Sequence, residues 1–181
     1  MIIKKIILLT LALSLSSCAL LEKKVIVADL DYLNGSTKMD IKTFFNGDIK
    51  ASGIVQNSNG KIIGTYIAKI EGNWDENKGV IKYNFTVGEN KKDSRTWLIT
   101  LNEDGKFEGV GHGVVKTAQG NQIGNAMRMF YSLSVNKNGK KEEISYEDKI
   151  YLIDEKSAIL ISKSSQKEVG EEVSIISLTK N

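Results

Sequence analysis

His112 is the single histidine of this chain and Cys18 its single cysteine, so few residues are equipped for acid-base or nucleophilic work. A serine or thiol nucleophile needs a base within hydrogen-bonding reach, and no Gly-x-Ser-x-Gly elbow is present to expose a serine. Zinc takes three or four His, Cys or carboxylate ligands, which one histidine on a strand does not supply. His112 therefore reads as an ordinary polar position. Asp154 and Glu155 are adjacent in a turn and carry no spacing signal, so glycosidase-type chemistry is not indicated. Gly109-x-Gly111-x-Gly113 has neither the spacing of a dinucleotide fingerprint nor a following helix whose N-terminus would receive phosphate. The residue inventory points away from an enzyme, from a metal and from a resident cofactor.

The thiol of Cys18 is open to another chemistry. Lys4 and Lys5 precede the largely apolar run Ile6 to Leu13, and small Ser16 and Ser17 lie just before the cysteine. Basic, apolar and small-residue sections in that order make a secretory leader. The run is too short to span a bilayer, which takes roughly 20 apolar residues. A lone cysteine has no intramolecular disulfide partner. Leu15-Ser16-Ser17-Cys18 resembles a bacterial lipobox, which implies cleavage before Cys18 and acylation of that thiol. Each buried CH₂ of an attached acyl chain contributes about 0.8 kcal/mol, so two or three chains hold a domain at a membrane. Ala19 rather than Asp after the cysteine resembles the sorting signal for the outer membrane, facing the periplasm.

This gives a division into a leader at 1–17, a lipidated N-terminus and tether at 18–31, and a domain at 32–181. Val25-Ile26-Val27-Ala28 is either a first strand or a segment packed on the domain wall. Removal of the leader leaves 164 residues, one domain's worth and enough for a single core. With Lys4 and Lys5 gone, 23 basic residues face 22 acidic ones, a net charge of +1. Basic residues are nearly all lysine, Arg95 and Arg128 being the two arginines, and they are interleaved with Asp and Glu. That mixture marks a solvated surface and excludes nucleic acid as the expected partner.

From residue 39 onward the hydrophobic period is two. Strands are expected at 49–55, 62–72, 81–87, 95–101, 107–116, 126–135, 144–153, 158–163 and 173–179. Turns fall at Asn57-Ser58-Asn59-Gly60, 73–79, Asn102-Glu103-Asp104-Gly105, Asn136-Lys137-Asn138-Gly139 and Ile153-Asp154-Glu155-Lys156. A polar loop covers 89–94, and 119–125 reads as a longer connection. No amphipathic helix is evident. The expected fold is all-β, an antiparallel meander barrel of about 8–10 strands, since closure removes exposed edges and short hairpins link neighbours. A barrel of that size holds either packed side chains or one small ligand. Outward Lys, Glu and Asn argue against a transmembrane barrel.

Within this frame the candidate inner wall is Arg95, Trp97, Met127, Met129 and Tyr131, with Gly111 contributing a surface free of side chain. Arg95 alternates in phase with Trp97, Ile99 and Leu101, the inward side. A buried arginine must be paired, here with Asp148, Glu147 or a ligand carboxylate; as the first residue of its strand it is expected at the rim. Gly109, Gly111 and Gly113 leave one strand face bare, which either Trp74 or Trp97 covers or a ligand occupies.

Phe44-Phe45-Asn46-Gly47, Gly53, Gly72-Asn73-Trp74, Arg95-Thr96-Trp97, Gly109-Val110-Gly111, Gly120, Gly124-Asn125-Ala126 and Tyr131-Ser132-Leu133 together resemble the bacterial lipoprotein family termed domain of unknown function 3833. The resemblance runs from about Tyr32 to the C-terminus and implies a lipid-anchored, lipocalin-like barrel. The family pattern has two aspartates where this chain has His112 and Gly113, and an aromatic residue, usually Trp, where it has Met129. Two functions follow as expectations. One is an envelope lipoprotein that binds a small hydrophobic or lipid-like ligand. The other is a non-enzymatic envelope protein with a filled barrel that docks another protein.

Overall fold

The computed structural model describes residues 37–88, 91–137, 139–166 and 170–181. The leader, Cys18 and the tether lie outside the described residues, as does the 25–28 segment. One helical turn, α1 (Ile41–Phe44), precedes ten strands: β1 (Gly47–Asn57), β2 (Ile62–Asp75), β3 (Lys78–Val87), β4 (Lys91–Leu101), β5 (Lys106–Gly111), β6 (Ala118–Ile123), β7 (Ala126–Lys137), β8 (Lys140–Leu152), β9 (Ser157–Gln166) and β10 (Gly170–Lys180). Every strand pairs antiparallel with its sequence neighbour, and β1 pairs with β10 from Ile49↔Lys180 to Asn57↔Glu172, closing the barrel. The expected all-β meander barrel is therefore the architecture found.

Its hairpins follow from local chemistry. At 57–60 the Gly60 amide donates to the Asn57 carbonyl at 2.9 Å, Gly60 has φ 76°, and the Asn57 side chain accepts from the amides of Asn59 and Lys61. At 153–157 the Asp154 carboxylate accepts from the amides of Lys156 and Ser157, both at 2.8 Å. These side chains satisfy turn amides that the ladder leaves free.

Five expectations need correction: the 89–94 loop is mostly strand, since β4 starts at Lys91, the 107–116 strand stops at Gly111, and the other three concern 73–79, 119–125 and 39–46. The 73–79 turn is far tighter, because β2 runs to Asp75 and β3 starts at Lys78, leaving Glu76 and Asn77 at the tip. Trp74 stays in the ladder opposite Gly79, whose missing Cβ makes room for the indole ring. The 119–125 connection is largely a strand, β6, whose inward Gly120 lies opposite Phe107. A Cβ at Gly120 would lie 2.2 Å from the Phe107 ring, so the ring fills the place of a side chain and the apolar alternation vanishes from the sequence. Residues 39–46 do not follow a period of two: Met39, Ile41, Phe44 and Phe45 are all buried, and α1 places them across one end of the barrel.

The core lies at that end. Phe45, Phe107, Ile41, Ile49, Ile70 and Leu178 are fully buried there. The chain leaving α1 crosses β2 at Gly72, where a Cβ would stand 1.6 Å from the Phe45 carbonyl oxygen. Only glycine permits that approach.

Candidate functional site

Above the plugged end, the barrel encloses a cavity of about 250 Å³. Its walls change character along the axis because each strand's inward alternation changes residue type. On β8 the inward sequence runs Leu152, Ile150, Asp148, Tyr146; on β10 it runs Leu178, Ile176, Ser174, Glu172. On β4 it runs Ile99, Trp97, Arg95. The end near α1 is apolar, and the opposite end carries tyrosines, serines and charged groups.

Five of the six expected wall residues, Arg95, Trp97, Met127, Met129 and Tyr131, line this cavity. Trp97 meets Tyr131 edge-on, with centroids 5.0 Å apart and planes at 77°, and Tyr131 stacks on Tyr146 at 4.9 Å and 6°. Gly111 does not belong to the lining: a Cβ there would meet the Thr96 carbonyl oxygen at 2.6 Å and the Val114 side chain at 3.6 Å. The bare face at Gly109 is filled by Trp97, Met129 and Ile99. His112 sits exposed in the turn after β5. Arg95 is not a rim residue, because β4 begins four positions earlier at Lys91. It reaches inward, half-buried, with its guanidinium 5.9 Å from the centre of the Phe85 ring.

The polar end contains groups the sequence does not single out. Tyr66, Tyr83, Ser162 and Ser164 join it, and Tyr66 stacks on Phe85 at 5.8 Å. Tyr83 shares its strand phase with Ile81 and Phe85, the one signal that places it inward. Asp148 faces in, registered opposite Met129 and Ser162, and its Oδ2 accepts the Tyr131 hydroxyl hydrogen at 3.1 Å. Glu147 faces out and forms an ion pair with Arg128, whose guanidinium lies 4.4 Å from the Phe130 ring centre.

Burial sets the protonation states. It pushes the Tyr66 hydroxyl up to about 12, partly offset by Arg95. Burial likewise carries Tyr83, Tyr131 and Tyr146 above the ordinary phenol range. All four remain neutral and keep their O–H near neutral pH. Burial also raises Asp148, against the pull of Ser162, Tyr131 and Arg95. Among the described residues no three His, Cys, Asp or Glu side chains cluster in a way that could hold a metal ion. The arrangement suits an amphipathic guest, with apolar contact at one end and hydrogen-bonding partners at the other.

Residues 13–180 match the family described as protein of unknown function (DUF3833). The chain belongs to that family. No curated protein sequence matches this DUF3833 chain. Among solved structures it is similar to the S-type phycobiliprotein lyase CPES from Guillardia theta, at 10% identity over 79% of this chain and 93% of the lyase, with a TM-score of 0.59. A redesigned beta barrel is also similar, at 10% identity over 80% of this chain and 99% of that one, with a TM-score of 0.42. This DUF3833 chain folds as a ten-stranded, lipocalin-like meander barrel.

Proposed function

We propose that this DUF3833 protein is a non-enzymatic, lipid-anchored carrier or sensor in the cell envelope that holds one small amphipathic ligand. Leu15-Ser16-Ser17-Cys18 supports the anchor, with the membrane as partner through the acylated Cys18 and the periplasmic face of the outer membrane as the location. The observation that carries the binding reading is the graded cavity. An acyl chain laid toward Met127, Met129, Ile150 and Ile176 leaves water, at about 0.8 kcal/mol per CH₂. Its polar end then lies within reach of Arg95 and the tyrosines. At about 250 Å³ the space falls just under the roughly 300–1,000 Å³ of pockets for drug-sized molecules, so the guest is small. A filled barrel that only docks another protein would need a packed interior, and the cavity weighs against it.

Native mass spectrometry of purified protein, with extraction of copurified small molecules, tests this reading. The expected result is a bound amphiphile, or uptake of a fluorescent fatty acid that an unlabelled one displaces. Protein that carries nothing and takes up no such probe would rule the reading out.

A further inference from the structure

Two groups in the cavity keep bonding capacity that no described residue takes up. Asp148 uses Oδ2 to accept from Tyr131, and the Ser162 hydroxyl facing it across β9 favours its ionised form, but Oδ1 makes no hydrogen bond of ordinary geometry with a described residue. Arg95 enters the same cavity from β4, four strands round the barrel from β8, and forms no ion pair with a described residue. A buried polar atom without a partner, such as Asp148 Oδ1, is costly, more so on a charged group, and such atoms in a folded protein call for an explanation. A simple fatty acid answers only one of the two needs. Its carboxylate can accept from Arg95, but it has no hydrogen to give Asp148 and brings a second anion toward it. A head group that pairs an anion with an adjacent N–H or O–H answers both.

We propose that the cavity selects amphiphilic acids bearing an N–H or O–H donor beside the anionic group, the chemistry of an N-acylated amino acid, over simple fatty acids. The anion is held by Arg95 and the donor by Asp148 Oδ1. This rests on the binding reading above and narrows it to a ligand class. Burial raises Asp148, and a donor placed on Oδ1 would supply what its ionised form lacks.

The test compares N-octanoylglycine with octanoate by isothermal titration calorimetry, on full chain made cell-free with Cys18→Ala so that no lipid is attached. The full chain is expected to bind the amide acid about tenfold more tightly, the equivalent of one added charge-assisted hydrogen bond. Asp148→Leu should bring the affinities for the two probes together, since the acceptor for the added donor has been removed. Asp148→Asn, which preserves the side-chain shape, should reduce the preference by a smaller factor because its neutral oxygen is a weaker acceptor. Equal affinity for the two probes, or an unchanged ratio in both Asp148 variants, overturns the selectivity while leaving the binding barrel intact. Failure of both probes, together with failure to take up any fluorescent fatty acid, sinks the binding reading and the selectivity with it.

Discussion

Glu147 and Asp148 are consecutive carboxylates with opposite environments, because alternation on β8 sends one outward and the other inward. Burial tends to raise Glu147, but its partners Arg128 and Lys149 outweigh that and hold it below the usual range. Its contribution to stability is present above the ordinary glutamate value and is lost as pH falls through its lowered value. Asp148 has the reverse sign. Its folded value lies above the ordinary one, so its contribution is full at low pH and is lost as pH rises through the raised value. The change in melting temperature on Asp148→Leu should therefore be more favourable at pH 7 than at pH 4 by scanning calorimetry. A difference that does not vary with pH would contradict the burial of this carboxyl. Arg95→Met should weaken octanoate binding roughly ten- to a hundredfold, since a hydrogen bond to a charged group is worth about 1.5–3 kcal/mol. Titration calorimetry reads that directly, and an unchanged affinity would remove Arg95 from the site.

At the scale of elements, the two that alternation hides support one another. The Asp40 side chain caps α1 by accepting from the Lys42 amide at 3.0 Å and the Thr43 hydroxyl at 2.7 Å. The Met39 amide donates to the Gly124 carbonyl at 2.8 Å, and the Ile41 amide donates to the Gln122 side-chain oxygen at 2.9 Å. Gln122 belongs to β6, so the strand without an apolar rhythm holds the helical turn that plugs the barrel. Gln122→Ala leaves the Ile41 amide without that partner and is expected to cost about 1–3 kcal/mol in urea unfolding. Gly72→Ala forces a methyl into the Phe45 carbonyl and should cost about 2–3 kcal/mol, as overpacking of a tight contact does. Wild-type urea midpoints for both variants would show that α1 is not anchored as described.

For the molecule as a whole, closure is the decisive feature. Pairing of β1 with β10 closes the ring of strands and creates an inside that ten alternating faces share. The proposed anchor is a separate matter, argued from residues before the barrel. If Cys18 is acylated as proposed, Cys18→Ala should leave the precursor uncut and the barrel folded, because the thiol would then serve the lipid alone. Gel migration and the circular dichroism spectrum of the variant check both halves, and mature-sized protein from Cys18→Ala would refute the lipobox.

A period of two running through Ile49 to Val55, Ile81 to Val87 and Arg95 to Leu101 was enough to dictate extended, paired strands, and the short polar turns between them dictated a meander. The inward phase of Trp97, Met127, Met129 and Tyr131 was legible for the same reason. Other features depended on contacts between residues far apart in the chain. Gly120 carries no strand signal until Phe107 fills its place, and Gly111 is excluded from the cavity by the Thr96 backbone. Arg95 and Asp148 lie 53 positions apart and share one cavity only because the barrel closes. Alternation is a local property that each strand carries in its own residues, whereas the contents of the interior are fixed by which faces the closed ring of hydrogen bonds brings together.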